Sequence, residues 1–371
     1  DVSRVADYCF REGIPVLPRG GGTSLAGQTV NEAVVLDFTK HMDGLVAFDA
    51  GARTATTQPG LRLGDLNRAL ADDGLKFAPD PAWGDKSALG GAIGNNSTGS
   101  HSLAYGKTDA YIEECEVVLA DGTVTRFGEV SLEELERGTE TGEGLSNLEA
   151  RIYGAVQDIL DERELIDRAY PDLKRNVSGY NLDQLIADAE SGTVNLARLL
   201  AGSEGTLAIV TEAVISLEPV PETKAMALLR YDTVADAMAD VAPIVEHGPA
   251  AVEVLDDVLL ERARDTEEFG DLVDGIVPEG TDAVLLVEFY AESEREGSEK
   301  VAGLLADRAP SGATRAPTDG GTETDAPVRA TSASEAYERS ERERFWKLRK
   351  SGLPILLSRT SDAKHASFIE D

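Results

Sequence analysis

Short apolar runs broken by glycine and polar turns, mixed with stretches of helical period, fill the first 219 residues. Residues 1–13 read as a helix, and Ile14–Leu17 as a buried strand that runs into a glycine-rich segment. Ala33–Asp37 and the alternating Leu45–Asp49 read as strands, and Ala52–Gly60 continues as strand and turn. Leu63, Leu66 and Leu70 recur on one helical face, with Gly74 as the stop. Glu114–Leu119 and Thr123–Phe127, joined by Asp121-Gly122, form a hairpin pattern. Residues 129–150 are acidic and glycine-containing and read as an exposed loop, followed by helices over 148–167 and 182–188. Strands and helices interleaved at this density indicate an α+β domain and not a doubly wound one.

The pattern changes after Pro219-Val220-Pro221, which marks a boundary between residues 1–219 and 220–371. Ala225–Tyr231, Ala251–Leu255 and Ala283–Tyr290 read as strands; Val234–Glu246, Asp257–Thr266 and Glu292–Asp307 read as helices. The repeated β-α-β order predicts a ferredoxin-like domain. Pro310–Pro327, rich in Gly, Thr, Pro and Asp, reads as a loop, and Ser332–Lys350 as one helix.

Three glycine-bearing segments carry the candidate chemistry. The first is Pro18-Arg19-Gly20-Gly21-Gly22-Thr23-Ser24-Leu25-Ala26-Gly27-Gln28. Consecutive glycines after a strand leave no Cβ to hold a ligand off the backbone, and their N–H groups can form an anion-binding nest. The second is Leu89-Gly90-Gly91-Ala92-Ile93-Gly94-Asn95-Asn96-Ser97-Thr98-Gly99, closed by Tyr105-Gly106, and the third is Gly202-Ser203-Glu204-Gly205-Thr206-Leu207. No G-x-x-x-x-G-K-[ST] is present, so no lysine is aimed at a terminal phosphate; G-x-G-x-x-G with an acid about twenty residues on is also missing.

Together these motifs resemble the FAD-binding domain of the vanillyl-alcohol oxidase and para-cresol methylhydroxylase flavoproteins. Within that superfamily they are most similar to the glycolate oxidase, D-lactate dehydrogenase and D-2-hydroxyglutarate dehydrogenase branch. The resemblance implies a two-subdomain FAD-binding domain over 1–219 and a ferredoxin-like substrate cap over 220–371. It also implies that a strand is missing in front, since Asp1-Val2-Ser3 reads as mid-helix, and that the chain is incomplete behind. It places the FAD diphosphate at Arg19, Gly20, Gly21, Gly22, Thr23, Ser24 and Leu25, with Gln28 beside them. Pro79 and Asp80 line the adenine or ribose side; Gly90, Gly91, Asn95, Asn96, Ser97 and Gly99 approach the ribityl chain and ring edge. Glu204, Gly205 and Ile209 touch the flavin from the other side, with a capping role as the plain alternative for Glu204. The family's covalent histidine position is Thr23 or Ser24 here, so the implied FAD is non-covalent, His101 being the lesser candidate for a link.

For substrate, Trp346-Lys347-Leu348-Arg349 matches a family pattern in which the arginine binds a carboxylate, and a planar guanidinium suits that task. Lys364 and Asn176 are further substrate-side candidates, with Tyr180 weaker. The implied reaction is oxidation of a D-2-hydroxy acid to the 2-oxo acid. The family's base and metal ligands lie in a later segment, so no metal is assigned and the catalytic base is left unassigned, His365 being the lesser candidate within the chain. Electrons would pass to another domain or subunit, iron–sulfur or other in nature, because Cys9 and Cys115 alone cannot hold a cluster. Competing readings are a non-catalytic FAD-binding electron-transfer subunit and an alkyl-dihydroxyacetonephosphate synthase-like flavoenzyme.

Charge narrows the setting. Sixty-eight acidic against 35 basic residues give a net charge of −33, which repels nucleic acid and anionic lipid. A 42% hydrophobic content argues against disorder. No eighteen-residue apolar run exists, and two cysteines make no disulfide framework, so the expectation is a cytoplasmic protein, associated with a membrane at most through a partner. A haloarchaeal source is the expectation that best fits the charge, since multimolar salt shortens the Debye length to about 3 Å or less and mutes self-repulsion. The protein is therefore expected to unfold in dilute buffer and refold in multimolar KCl, followed by circular dichroism; full stability without salt would refute this.

Overall fold

The structure is a computed structural model that describes residues 1–173, 175–278, 280–309 and 329–357. The chain divides into two compact units: Asp1–Gly99 with Tyr105–Val220, and Ser100–Ala104 with the segment from Pro221 onward. The architecture is α+β in both.

In the first unit, the helix Val2–Glu12 ends at Gly13 with φ 66°, where the backbone enters the left-handed region that glycine tolerates. Two strands, Val16–Arg19 and Val34–Asp37, pair in parallel, two residues later than the apolar run alone suggests. A five-stranded antiparallel sheet follows, in the order Leu45–Asp49, Thr54–Thr57, Ile209–Ser216, Ile112–Val118, Val124–Phe127. The strand Ile209–Ser216, the last of this sheet in chain order, thus inserts at its centre, between strands that precede it by about a hundred residues or more. Helix Leu63–Leu70 puts Leu63, Leu66 and Leu70 into the core at 0–1% exposure, each contributing about 1.5–3 kcal/mol of burial.

Residues 129–150 are not a loop. Glu129–Ser131 is a strand and Leu132–Thr141 a helix, and a second helix starts at Asn147. Each helix opens with a reciprocal capping box, Ser131 with Glu134 and Ser146 with Glu149, which offsets the glycines around them. The span 148–167 is two helices, Asn147–Asp161 and Arg163–Ala169, broken at Glu162.

In the second unit, four antiparallel strands lie in the order Ala251–Asp256, Ala283–Ala291, Thr223–Tyr231, Ser332–Ala336. Numbered by chain position this is 2-3-1-4, the ferredoxin-like order. The helices Val234–Val245 and Glu294–Arg308 cover one face over Leu229, Leu285, Val287 and Phe289; Asp257–Arg264, Gly270–Ile276 and Arg339–Lys350 cover the other over Met226, Leu228, Val284 and Leu286. The single helix expected over 332–350 is corrected: Ser332–Ala336 is the fourth strand, paired with Met226–Arg230, and the helix begins at Arg339. Ser-Ala-Ser-Glu-Ala has little β propensity of its own, and backbone pairing with the neighbouring strand overrides it. The loop expected at 310–327 lies outside the described residues. Among the described residues no helix is long and apolar enough to cross a membrane.

Candidate functional site

The three glycine segments meet in the first unit. A Cβ on Gly20 would lie 3.0 Å from the Ala88 Cβ, and one on Gly21 only 2.1 Å from the Lys86 carbonyl oxygen, so the first segment lies backbone-to-backbone on residues 86–91. Thr23 Oγ1 and Ser87 Oγ hydrogen-bond at 3.0 Å, and Gln28 Nε2 donates to Asn95 Oδ1 at 3.4 Å. The second segment is not a loop throughout: Leu89–Gly94 is a short helix, with Leu89, Ala92 and Ile93 buried. Its end holds the third segment, because Gly202 N donates to Ile93 O and Glu204 N to Gly94 O at 3.0 and 2.8 Å. Gly205, at φ 76°, would place a Cβ 2.7 Å from Pro18 Cγ, which closes the circuit back to the first segment.

At the head of this arrangement the Arg19 Nε is buried with no hydrogen-bond acceptor among the described residues. A cationic donor left unsatisfied beside three glycines suits an anionic group such as a diphosphate. Gly22 has φ 66°, and Gly21, Gly22 and Leu25 are exposed while Thr23 and Ser24 are half-buried. Gly91 faces open space, and Gly90 packs on Pro59, where a Cβ would lie 2.6 Å from that of the proline.

Other candidates are committed to the fold. Asn96, at 0% exposure and φ 46°, accepts from Asp109 N and donates to Asn181 Oδ1, and Asn181 donates to Asp109 Oδ2 at 2.8 Å. Its carboxamide therefore holds the backbone of the second segment instead of pointing at a ligand. Ile209 packs into an apolar cluster with Ala6, Phe38 and Val118. Pro79 is buried, and Gly99 lies against Asp80, where a Cβ would meet the Asp80 carbonyl at 2.3 Å. Ser97 offers its carbonyl to Thr108. Glu204 is exposed with φ 51°. Asn176 accepts from Lys107 Nζ through its carbonyl, and the Tyr180 hydroxyl meets Thr206 Oγ1 at 3.0 Å. Burial pushes the Cys115 thiol up to about 12, with the nearby Glu114 charge adding to it, so this cysteine is no nucleophile.

The second unit holds a separate polar cluster. Glu288, 1% exposed, accepts from Trp346 Nε1 at 2.7 Å and lies 2.9 Å from His101 Nε2 and 3.4 Å from Lys224 Nζ. His101 also stacks on Tyr290 with ring centroids 5.4 Å apart. Burial alone would raise the Glu288 carboxyl, but the bond from His101, the Lys224 and His101 charges and the Trp346 bond together hold it at about 2. On the neighbouring strand Glu253 takes a hydrogen bond from Arg349 Nε. The signal for both acids was present in the sequence, a glutamate at an inward position of an otherwise apolar strand. Lys364 and His365 lie outside the described residues. Among the described residues no group of three or more metal-ligating side chains occurs.

Comparison with known proteins agrees with this geometry. The FAD binding domain model matches residues 1–128, and the model for the C-terminal domain of FAD linked oxidases matches residues 220–371. The chain belongs to the FAD-linked oxidases. The family's cofactor is FAD, and the first unit presents residues that suit it. A D-2-hydroxyglutarate dehydrogenase of Pantoea ananatis is 32% identical over 71% of this chain and 25% of its own length. The glycolate oxidase subunit GlcD of Bacillus subtilis is 32% identical over 78% of this chain and 49% of its own. A D-lactate dehydrogenase of Archaeoglobus fulgidus is 28% identical over 82% and 55%. The chain thus spans between about a quarter and about half of the length of these relatives. An alkyldihydroxyacetonephosphate synthase structure shares the fold at TM-score 0.59 and 18% identity, over 96% of this chain and 53% of that one.

Two outcomes follow from the packing of this FAD-linked oxidase. Gly21→Ala forces the first segment off residues 86–88 and is expected to cost about 1–3 kcal/mol, read by chemical denaturation; Gly91→Ala, with nothing within 4 Å, is expected to leave stability unchanged. Glu288 stabilises the folded state above its ordinary value of 4.5, and that contribution is lost as pH falls from there through about 2. The Tm gap between the native protein and Glu288→Gln should therefore be widest above pH 5 and close towards pH 2; a gap independent of pH would refute the assignment.

Proposed function

We propose that the chain forms the FAD-holding and hydroxy-acid-holding part of an enzyme that oxidises D-2-hydroxy acids to 2-oxo acids. The observation that carries this reading is the unsatisfied, buried Nε–H of Arg19 at the head of three interlocked glycine segments. The names of the relatives supply the substrate class: D-2-hydroxyglutarate, glycolate and D-lactate are all small 2-hydroxy acids.

In this reading Arg19 and the amides of Gly20, Gly21, Gly22, Thr23 and Ser24 hold the FAD diphosphate, with Leu25 and Gln28 flanking. Pro79, Asp80 and Gly99 bound one side; Gly90, Gly91, Asn95 and Ser97 approach the cofactor chain; Glu204, Gly205 and the main chain of Ile209 close the third side. Asn96 serves by fixing the backbone. Bound FAD, held without a covalent link, supplies the acceptor for the hydride leaving the α-carbon. Arg349 binds the substrate carboxylate, with Lys364 and Asn176 as secondary contacts. The proton lost from the hydroxyl goes to a base, and the two electrons leave through a further acceptor domain or subunit. A cytoplasmic, high-salt setting agrees with the charge balance.

The test is the visible spectrum of the purified, FAD-loaded protein in multimolar KCl, recorded anaerobically as D-lactate, L-lactate, glycolate and D-2-hydroxyglutarate are added in turn. Bleaching by a D-acid or glycolate and not by L-lactate is expected; a flavin band that none of them bleaches overturns the reading. Gly91→Ala should lower flavin content while leaving the fold intact. Arg349→Ala should keep the flavin and raise the half-saturating acid concentration by about 10- to 100-fold, the worth of a charge-assisted hydrogen bond.

A further inference from the structure

Trp346 and Arg349 stand three residues apart, on one face of the helix Arg339–Lys350. Each bonds to a buried glutamate on a different strand: Trp346 to Glu288, and Arg349 to Glu253. The two acids share a sheet face, since Ala251 is opposite Glu288 and Glu253 opposite Leu286 in the register. Phe345 and Leu348, buried on the same helix, set its depth. The two directional bonds to strand positions fix its register along and about its axis. The exposure is asymmetric: the Glu253 side chain is 11% exposed and the Arg349 side chain 34%. The carboxylate therefore lies beneath, and the guanidinium reaches outward over it. Among the described residues Arg349 donates through Nε only, which leaves the Nη1 and Nη2 edge of its planar fork for an incoming group.

We infer that Glu253 is the positioning residue for Arg349. By holding Nε from below, it aims the paired Nη donors so that a substrate carboxylate is met by both at once. An arginine without that partner would sample many rotamers and lose the ordering entropy on each binding event. The inference rests on the hydroxy-acid reading above, and it concerns how the acid is gripped, not whether it is oxidised.

The experiment uses the FAD-loaded protein and its Glu253→Ala, Glu253→Gln and Arg349→Ala variants in multimolar KCl. Pyruvate binding is measured by calorimetry, flavin reduction by D-lactate in rapid mixing, and folding by Tm. Glu253→Ala is expected to weaken pyruvate about tenfold or more and raise the half-saturating D-lactate in step, with the rate at saturation little changed. Glu253→Gln keeps an acceptor for Nε and is expected to stay within about threefold of the native protein. If both variants lower Tm while pyruvate binding holds, Glu253 is only structural and the inference falls. Tighter pyruvate binding in both variants would show that Glu253 competes with substrate for Arg349, and it falls equally. A native protein that binds no pyruvate, or an Arg349→Ala variant that binds it unchanged, overturns the underlying hydroxy-acid reading instead.

Discussion

Everything in the first unit depends on main chains approaching one another more closely than side chains allow. The Gly21 backbone lies where even a methyl group would sit 2.1 Å from the Lys86 carbonyl, and Gly99 and Gly90 meet Asp80 and Pro59 in the same way. Such contacts leave no room for a side chain where these segments meet. They also explain why three segments far apart in the chain belong to one structure: Gly202 and Glu204 hang by backbone hydrogen bonds from Ile93 and Gly94, and Gly205 touches Pro18. A nest assembled from backbone is rigid and cannot be rebuilt by choosing another rotamer. Arg19 adds a buried charged donor, its Nε, that has no acceptor among the described residues.

The second unit uses the opposite device. Its sheet is apolar on both faces except where a few charged side chains are sunk into it, and at Glu288 and Glu253 those charges are engaged by hydrogen bonds from neighbouring elements. Burying an acid is costly unless its lone pairs are satisfied, and the satisfied arrangement then resists rearrangement. Glu288, with Trp346, His101 and Lys224 around it, orients aromatic and basic groups that would otherwise move independently. Asn96, Asp109 and Asn181 do the same in the first unit, where they hold a non-glycine residue at φ 46°.

The sequence was legible where local chemistry and tertiary structure agree. Leu63, Leu66 and Leu70 announced a helix and Asp121-Gly122 a hairpin, and both are present. The glycine motifs carried the cofactor because backbone approach is written in glycine itself. Legibility failed where partners are distant. Ser332–Ala336 is a strand only because Met226–Arg230 is there to pair with it, and nothing in five small and polar residues says so. The helices after Ser131 and Ser146 were hidden for a different reason: an acidic, glycine-bearing composition outweighed two Ser-x-x-Glu caps that were in plain view. Asn96 looked like a ligand amide because its role depends on Asp109 and Asn181, thirteen and 85 positions away.

Charge placement connects the two units to the composition. Exposed pairs such as Arg126 with Glu114 and Glu212 are each half-open to solvent or nearly so on the arginine side, and concentrated salt screens them. A chain with a net charge of −33 would therefore gain little from such pairs in strong salt. Buried groups are screened far less. The ionic interactions that would survive in strong salt are those withdrawn from solvent, among them Arg308 with Asp240, Lys107 with Asp109, Glu288 with His101 and Lys224, and Glu253 with Arg349. A chain with this charge balance can afford solvent-exposed acids almost anywhere, but the few acids that orient other side chains have to be inside.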